Sequence, residues 1–207
     1  MTAEDGYARL RDAIVTGRLQ PNERLVEADL SEALGLGRTA VRTALVRLEH
    51  ERLVERRPNR GAKVRLVSEQ EAIEILEARA VLESLSAAKA AEQAAAADVR
   101  GLRAVLGEMR VLLDRGDPLG ASEQNAVFHR RIVGIARHET SRRLIESLHS
   151  QMVRFQYRTI LVPGRAERSF GEHTAIADAI DAHDAAAAEQ AMRGHLGHVI
   201  EALRART

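Results

Sequence analysis

Cysteine is absent from the 207 residues, so the chain has neither a disulfide framework nor a thiolate metal site, and a reducing compartment is its natural home. Tryptophan is absent too, and two tyrosines and three phenylalanines leave few platforms for stacking bases, which argues against single-strand nucleic-acid binding. No apolar run approaches the roughly 18 residues of a membrane span, and the N-terminus lacks a charged head ahead of an apolar core. The expectation is a soluble cytoplasmic protein with no membrane partner. Net charge is also nearly missing, at +1 from 31 Lys and Arg against 30 Asp and Glu. What is plentiful is Leu, Ala, Glu and Arg, the composition of a helical protein.

The small net charge hides a local surplus. Between Gly37 and Arg65 there are nine Lys or Arg and three Glu, a clustering of the kind that draws in phosphates. The same region is punctuated. Residues 7–17 form a first helix with Tyr7, Leu10, Ala13 and Ile14 at core spacing and Gly17 as its stop, and Arg18 to Leu25 is a turn. Glu27 to Leu34 reads as a helix with Leu30, Ala33 and Leu34 on one face, closed by Gly35. Arg38 to Arg52 reads as a further helix with Val41, Leu45 and Leu48 inward and Arg38, Thr39, Arg42 and Arg47 on other faces. Two helices around a short glycine-containing turn make a helix-turn-helix, whose second helix is shaped for a DNA major groove. Leu53 to Leu66 adds a hairpin around Pro58-Asn59-Arg60-Gly61, completing a winged helix. Asn59 and Gly61 supply turn dihedrals, and Arg60-Gly61 is also placed to enter a minor groove beside the recognition helix.

After Val67 the helical period takes over. Ser68 and Glu71 have capping-box spacing, and helices are expected over roughly 69–96, 98–115, 118–136, 140–161, 165–182 and 184–205. The fold class is therefore mainly α: an N-terminal winged helix-turn-helix, residues 1–66, followed by an all-α bundle of about six or seven helices, residues 67–207. The second domain carries about −2, so it is not the nucleic-acid face.

Three histidines in that domain stand out. His129 follows Asn125 by four residues, which puts both on one helix face; His173 and His195 lie on the last two helices. One His from each of three helices with an oxygen donor one turn away is how a bundle builds an internal divalent-metal site, although a lone helical histidine is more often a satisfied core or surface residue.

The N-terminal part resembles the winged helix of the GntR superfamily of bacterial transcription regulators. The likeness runs through Ile14, Gly17-Arg18-Leu19, Pro21, Leu25, Leu30, Leu34-Gly35, Arg38-Thr39, Val41-Arg42, Ala44-Leu45, Leu48, Leu53-Val54 and Arg60-Gly61. The C-terminal part resembles the FadR-like subfamily with its all-helical effector-binding (FCD) domain, through Arg79, Glu83, Phe128-His129, Glu172-His173 and His195-Leu196. The resemblance implies a homodimeric, non-enzymatic regulator that binds a near-palindromic double-stranded DNA operator. Its second domain would sense a small carboxylate, often over a metal, here zinc or nickel, held by Asn125, His129, His173 and His195. DNA contacts would fall on Arg38, Thr39, Arg42 and Gly61, with Arg60 beside them.

Three departures from the family pattern matter: Ala28 stands where an arginine often reaches DNA, Gly37 replaces a Ser or Thr cap, and Asn125 replaces the aspartate of many members. Arg79 is a candidate clamp for an effector carboxylate, with an ion pair to Glu77 or Glu83 as an equal contender. Arg130, Arg154 and Tyr157 are further pocket candidates, and His198 is placed to share the face of His195. The competing function is a metal-dependent hydrolase with an appended DNA-binding module, since three imidazoles with open positions would permit a metal-bound hydroxide.

Overall fold

The structure, a computed structural model, describes residues 3–57, 61–152, 155, 159 and 162–205. The chain divides into two compact units, Met1–Ser68 with His149–Val153, and Glu69–Leu148 with Arg154–Thr207.

In the first unit, helix α1 (Ala3–Val15) leads to strand β1 (Arg24–Leu25), then α2 (Glu27–Leu34), α3 (Arg38–His50), β2 (Val54–Arg57) and β3 (Gly61–Val64). The helix-turn-helix owes its sharp turn to Gly35. Its φ of 64° is left-handed, and its N–H returns to the carbonyls of Glu32 and Ser31, closing α2 as only a residue without Cβ does cheaply. Val41, Ala44, Leu45 and Leu48 of α3 are buried with Tyr7, Leu10 and Ile14 of α1 and with Leu25, Val54, Ala62 and Val64 of the sheet, one core under all three elements. Leu30 and Leu34 pack against that core from α2, whereas Ala33 is exposed, one position off the stripe expected for it.

The sheet differs from a two-stranded wing. Arg24-Leu25, expected as part of a turn, forms a strand antiparallel to β3, with Leu25 opposite Ala62, and β3 lies between β1 and β2. Burial explains the pairing: Leu25 is a large fully buried side chain whose backbone would lose water without a ladder partner. The hairpin tip at Pro58, Asn59 and Arg60 lies outside the described residues.

The second unit contains α4 (Glu69–Gln93), α5 (Ala96–Asp114), α6 (Pro118–Ile135), α8 (Arg165–Asp181) and α9 (Ala185–Arg204), together with most of α7 (Glu139–Gln151). The chain writes its own starts. Asp117 accepts from the N–H of Gly120 at 2.9 Å with Pro118 at the first turn of α6, and Asp184 accepts from Ala187 at 2.9 Å at the head of α9. Asp98 reaches back to the N–H of Ala95 at 2.9 Å at the head of α5. The expected helix over 140–161 stops at Gln151, with Met152, Phe155 and Thr159 in turns and Val162 in a bend. Pro163 disfavours helical backbone at the residue before it, in keeping with the bend at Val162.

The core of this unit is built on small residues. Ala87, Ala90 and Ala91 of α4, with Ala94 just past its end, meet Ile176, Ala177 and Ile180 of α8 and Ala188, Met192 and Leu196 of α9, with Phe128 and Ile132 entering from α6. Alanine lets neighbouring helices approach closely, so polar side chains of adjacent turns, carried on three different helices, are brought face to face inside the bundle.

Candidate functional site

The recognition-helix candidates occupy the exposed start of α3. Arg38, Thr39 and Arg42 face solvent, and Gly37 caps the helix with extended backbone and no side-chain hydrogen bond. Helix N-termini with free N–H groups favour anions, so this end of α3 suits a phosphate as well as a base edge. Arg42 is held by Glu27 of α2, its Nη2 at 3.0 Å from Oε2 and its Nε at 3.3 Å from the same oxygen. Arg47, further along α3, is engaged by α1 instead: Nη1 lies 2.6 Å from Glu4 Oε2, and its guanidinium sits 3.6 Å over the Tyr7 ring. Ala28 is exposed. On the wing, Gly61 has a φ of 77°, and a Cβ there would stand 2.9 Å from the carbonyl oxygen of Leu25. Its missing side chain is thus required by β1 inside the sheet, whatever it permits towards DNA. Arg60 lies outside the described residues.

The second constellation is buried. His129 comes from α6, His173 from α8 and His195 from α9, and one ligand nitrogen from each can be chosen so that all lie within 4.8 Å of one another. Ring centroids are 5.4 Å apart for His129 and His173, 5.2 Å for His129 and His195, and 4.4 Å for His173 and His195. Phe128, the neighbour of His129, stands 5.1 Å from the His173 ring and walls off one side.

Each of two rings is oriented by a carboxylate. Glu83 Oε2 lies 2.6 Å from His129 Nδ1, and Glu172 Oε2 lies 2.7 Å from His195 Nδ1. A carboxylate accepting from Nδ1–H selects the tautomer whose Nε2 carries the free lone pair, as metal-ligating histidines require. The carboxylates are anchored in turn. Arg79 Nε donates to Glu83 Oε1 at 2.7 Å, and Arg165 Nη2 donates to Glu172 Oε2 at 2.9 Å. His198, half exposed, meets the other oxygen of Glu172 at 2.9 Å. Arg79 therefore makes the ion pair with Glu83, not with Glu77, and Glu77 pairs with Arg204.

The electrostatics follow from burial. Desolvation pushes the Glu83 carboxyl up, but the Arg79 guanidinium and then the His129 ring, both hydrogen-bonded to it, outweigh that and hold it well below the usual carboxylate range. Desolvation, then the neighbouring His195 and His129 rings and the Arg165 guanidinium, hold His173 well below the ordinary imidazole value. His195 is lowered in the same way, by burial first and then by His129 and Arg165. Its contact with Glu172 is accordingly a neutral imidazole N–H donating to a carboxylate rather than an ion pair.

Several polar atoms here have no hydrogen-bond partner among the described residues: both ring nitrogens of His173, Asn125 Oδ1, Ser84 Oγ and Arg165 Nη1. Buried polar groups are normally satisfied, each orphan costing about 1–3 kcal/mol, so such a group calls for a ligand. The donor set of three imidazoles and an amide oxygen is one that a zinc or nickel ion accepts. Of the remaining pocket candidates, Arg130 is exposed, and Arg154 and Tyr157 lie outside the described residues.

Arg165 is the residue that the sequence pattern did not mark, and Glu172, which carries part of the family likeness, had no role assigned to it at the site. Their spacing of seven puts them on one face of α8, two turns apart, and that was the available signal. Nothing in the sequence links Glu172 to a ring on α9.

Comparison with known proteins bears on the whole chain. Residues 2–64 match the family described as bacterial regulatory proteins, gntR family, and residues 74–198 match the FCD domain. The HTH-type transcriptional repressor GlaR of Escherichia coli is 30% identical over 95% of this chain and 93% of its own. The HTH-type transcriptional regulator LutR of Bacillus subtilis is 28% identical over 92% and 95%. Among solved structures, E. coli McbR/YncC superposes with a TM-score of 0.80 at 23% identity, covering 99% of this chain and 97% of that one. A GntR regulator from Rhodococcus sp. RHA1 gives 0.73 at 24% over 99% and 98%, and at these identities both speak to the fold alone. The named relatives are transcriptional regulators and not hydrolases, so the hydrolase alternative finds no support among them.

Proposed function

The chain belongs to the GntR family of bacterial regulatory proteins with an FCD domain, and from that premise we propose that it is a DNA-binding regulator governed by a metal-dependent organic-acid sensor. That it is a DNA-binding transcription regulator and not an enzyme is carried by the family itself. Two copies of the chain would bind a near-palindromic operator, with Arg38, Thr39 and Arg42 of α3 reading the major groove of each half-site and the Arg60-Gly61 tip reaching the adjacent minor groove. The symmetry of a two-fold operator is matched by a homodimer.

Asn125, His129, His173 and His195 would hold a divalent ion, zinc or nickel. When bound, that ion would supply a Lewis-acidic centre for a carboxylate oxygen. The observation that supports this reading is the meeting of three histidine ligand atoms within 4.8 Å of one another, with an orphaned Asn125 Oδ1 on the same helix as His129, four residues before it. The rest is done by the chain's own residues. Glu83 and Glu172 orient two of the rings, Arg79 and Arg165 anchor those carboxylates, and Phe128 closes one side against water. Binding of a small carboxylate in the helical unit then favours one presentation of the paired winged helices over another, which changes operator affinity by the ligand's differential affinity for the two states.

The test is metal content and melting temperature. Protein stripped with chelator and titrated with zinc should take up one ion per chain and melt higher, by about 2.7 kcal/mol of stabilisation at a hundredfold excess over the dissociation constant. His173→Ala should lose both effects. Equal responses from the variant and the wild type would refute the site.

A further inference from the structure

The metal reading, on which this inference rests, leaves open the charge of the effector, and the buried ion pairs speak to it. Four charged side chains flank the histidines: Glu83 and Arg79, with side-chain exposures of 1% and 12%, and Glu172 and Arg165, with 13% and 5%. They pair off one to one, so the protein's own contribution is zero. The ligand set adds nothing, because Asn125 is neutral. A divalent ion held by three neutral imidazoles and an amide would therefore leave two positive charges uncompensated in a buried place, where unpaired charge is costly.

A second observation locates where part of the compensating anion would sit. Arg165 Nη2 is committed to Glu172, and Glu172 Oε2 is shared with His195 Nδ1, so the guanidinium stands one carboxylate away from the histidine cluster. Its Nη1 is buried and without a partner among the described residues. Arg79 spends its Nε on Glu83 within the same network, so it is Arg165 that has a buried donor to offer. We propose that the effector is a dianionic organic acid, a small dicarboxylate, with one carboxylate at the histidine cluster and the other accepting from Arg165 Nη1. Asn125 is then a specificity residue: its neutrality sets the preference for two negative charges over one.

The experiment is calorimetric titration of the full-length protein, with zinc per chain measured on each sample and each titration repeated after chelator treatment. Probes are malonate, succinate and glutarate, each against the monocarboxylate of equal length, propionate, butyrate and pentanoate. At least one dicarboxylate should bind about tenfold or more tighter than its partner, the share of one added charge-assisted hydrogen bond. Arg165→Gln should erase that ratio when samples of equal measured zinc content are compared, and Arg165→Lys, which keeps the charge beside Glu172 should the glutamine variant fold poorly, should reduce it. Asn125→Asp should shift the preference towards the monocarboxylate by restoring one negative charge. Ratios within threefold in the wild type, or a ratio untouched by both Arg165 variants, would overturn the proposal while leaving the metal reading intact. A wild type that takes up no zinc overturns the metal reading, and a dicarboxylate preference that still depends on Arg165 would show the anchor to stand without it.

Discussion

Replacing Arg79 by methionine should destabilise the helical unit far more than an effector-contacting arginine on a solvated face would. The methionine keeps most of the aliphatic stem and removes the guanidinium, leaving Glu83 ionised, almost fully shielded from water and supported only by the His129 ring. Removing one partner of a buried pair costs about 3–5 kcal/mol, because the remaining charge is stranded. For a chain of this size each kcal/mol moves the midpoint by about 2–4 °C, so the melting transition should fall by roughly 6–20 °C. Thermal and urea denaturation of chelator-treated protein would measure it without the contribution of a bound ion. The double variant Arg79→Met with Glu83→Leu removes both charges and should be more stable than the single variant, what remains of the loss being about 1–3 kcal/mol for the His129 Nδ1–H left without its acceptor. A single variant within about 1 kcal/mol of wild type, or a double variant less stable than the single, would show that the Arg79–Glu83 contact does not carry the stability its burial implies.

Arg42→Ala should abolish operator-specific binding in a gel-shift or anisotropy assay while the stability stays within about 0.5 kcal/mol of wild type, since its contact with Glu27 is at the surface; specific binding that persists would remove Arg42 from the reading set. Gly61→Ala places a Cβ on left-handed backbone against the Leu25 carbonyl and should cost about 1–3 kcal/mol by denaturant titration; an unchanged midpoint would contradict the strand geometry. Acidification should destabilise the metal-free protein through His173. The folded protein keeps this ring neutral and the unfolded chain protonates it near pH 6.5, so stability is full above that value and falls by up to about 1.4 kcal/mol per unit below it until the depressed folded value is reached. His173→Gln should flatten that part of the curve, and an identical slope would show that another group is responsible.

How much of this is legible without the structure depends on the range over which each feature acts. Gly35, the inward stripe of α3 and the helix starts at Asp117 and Asp184 are local statements, written within four or five residues of the atoms they control. Strand β1 is only two residues long, too short to show an alternating period, and it exists because Leu25 must be buried against β3. The helical pattern of α7 runs on past its true end because nothing between Gln151 and Pro163 interrupts it as visibly as a glycine or proline does. The three histidines can be singled out by type and position, but their meeting is a product of packing between α4, α6, α8 and α9 over an alanine-rich core, to which no single segment testifies. The same is true of Glu172. Its pairing with Arg165 follows from spacing on one helix, whereas its grip on His195 belongs to the packing of two.

The placement of β3 between β1 and β2 has a consequence for what regulation is able to alter. Strand β1 runs within two residues of the start of α2, and α2 is joined through Gly35 to α3, so wing, scaffold helix and recognition helix are welded into one body over a shared core. Such a body has no inexpensive way to move its wing relative to its helix. The preference for particular bases within a half-site is therefore a constant of the molecule. In the homodimer proposed above, a signal arriving from elsewhere in the chain would have only the spacing and phase of two such bodies to work on, so liganded and unliganded protein should select the same half-site letters and differ in the number of base pairs they tolerate between them.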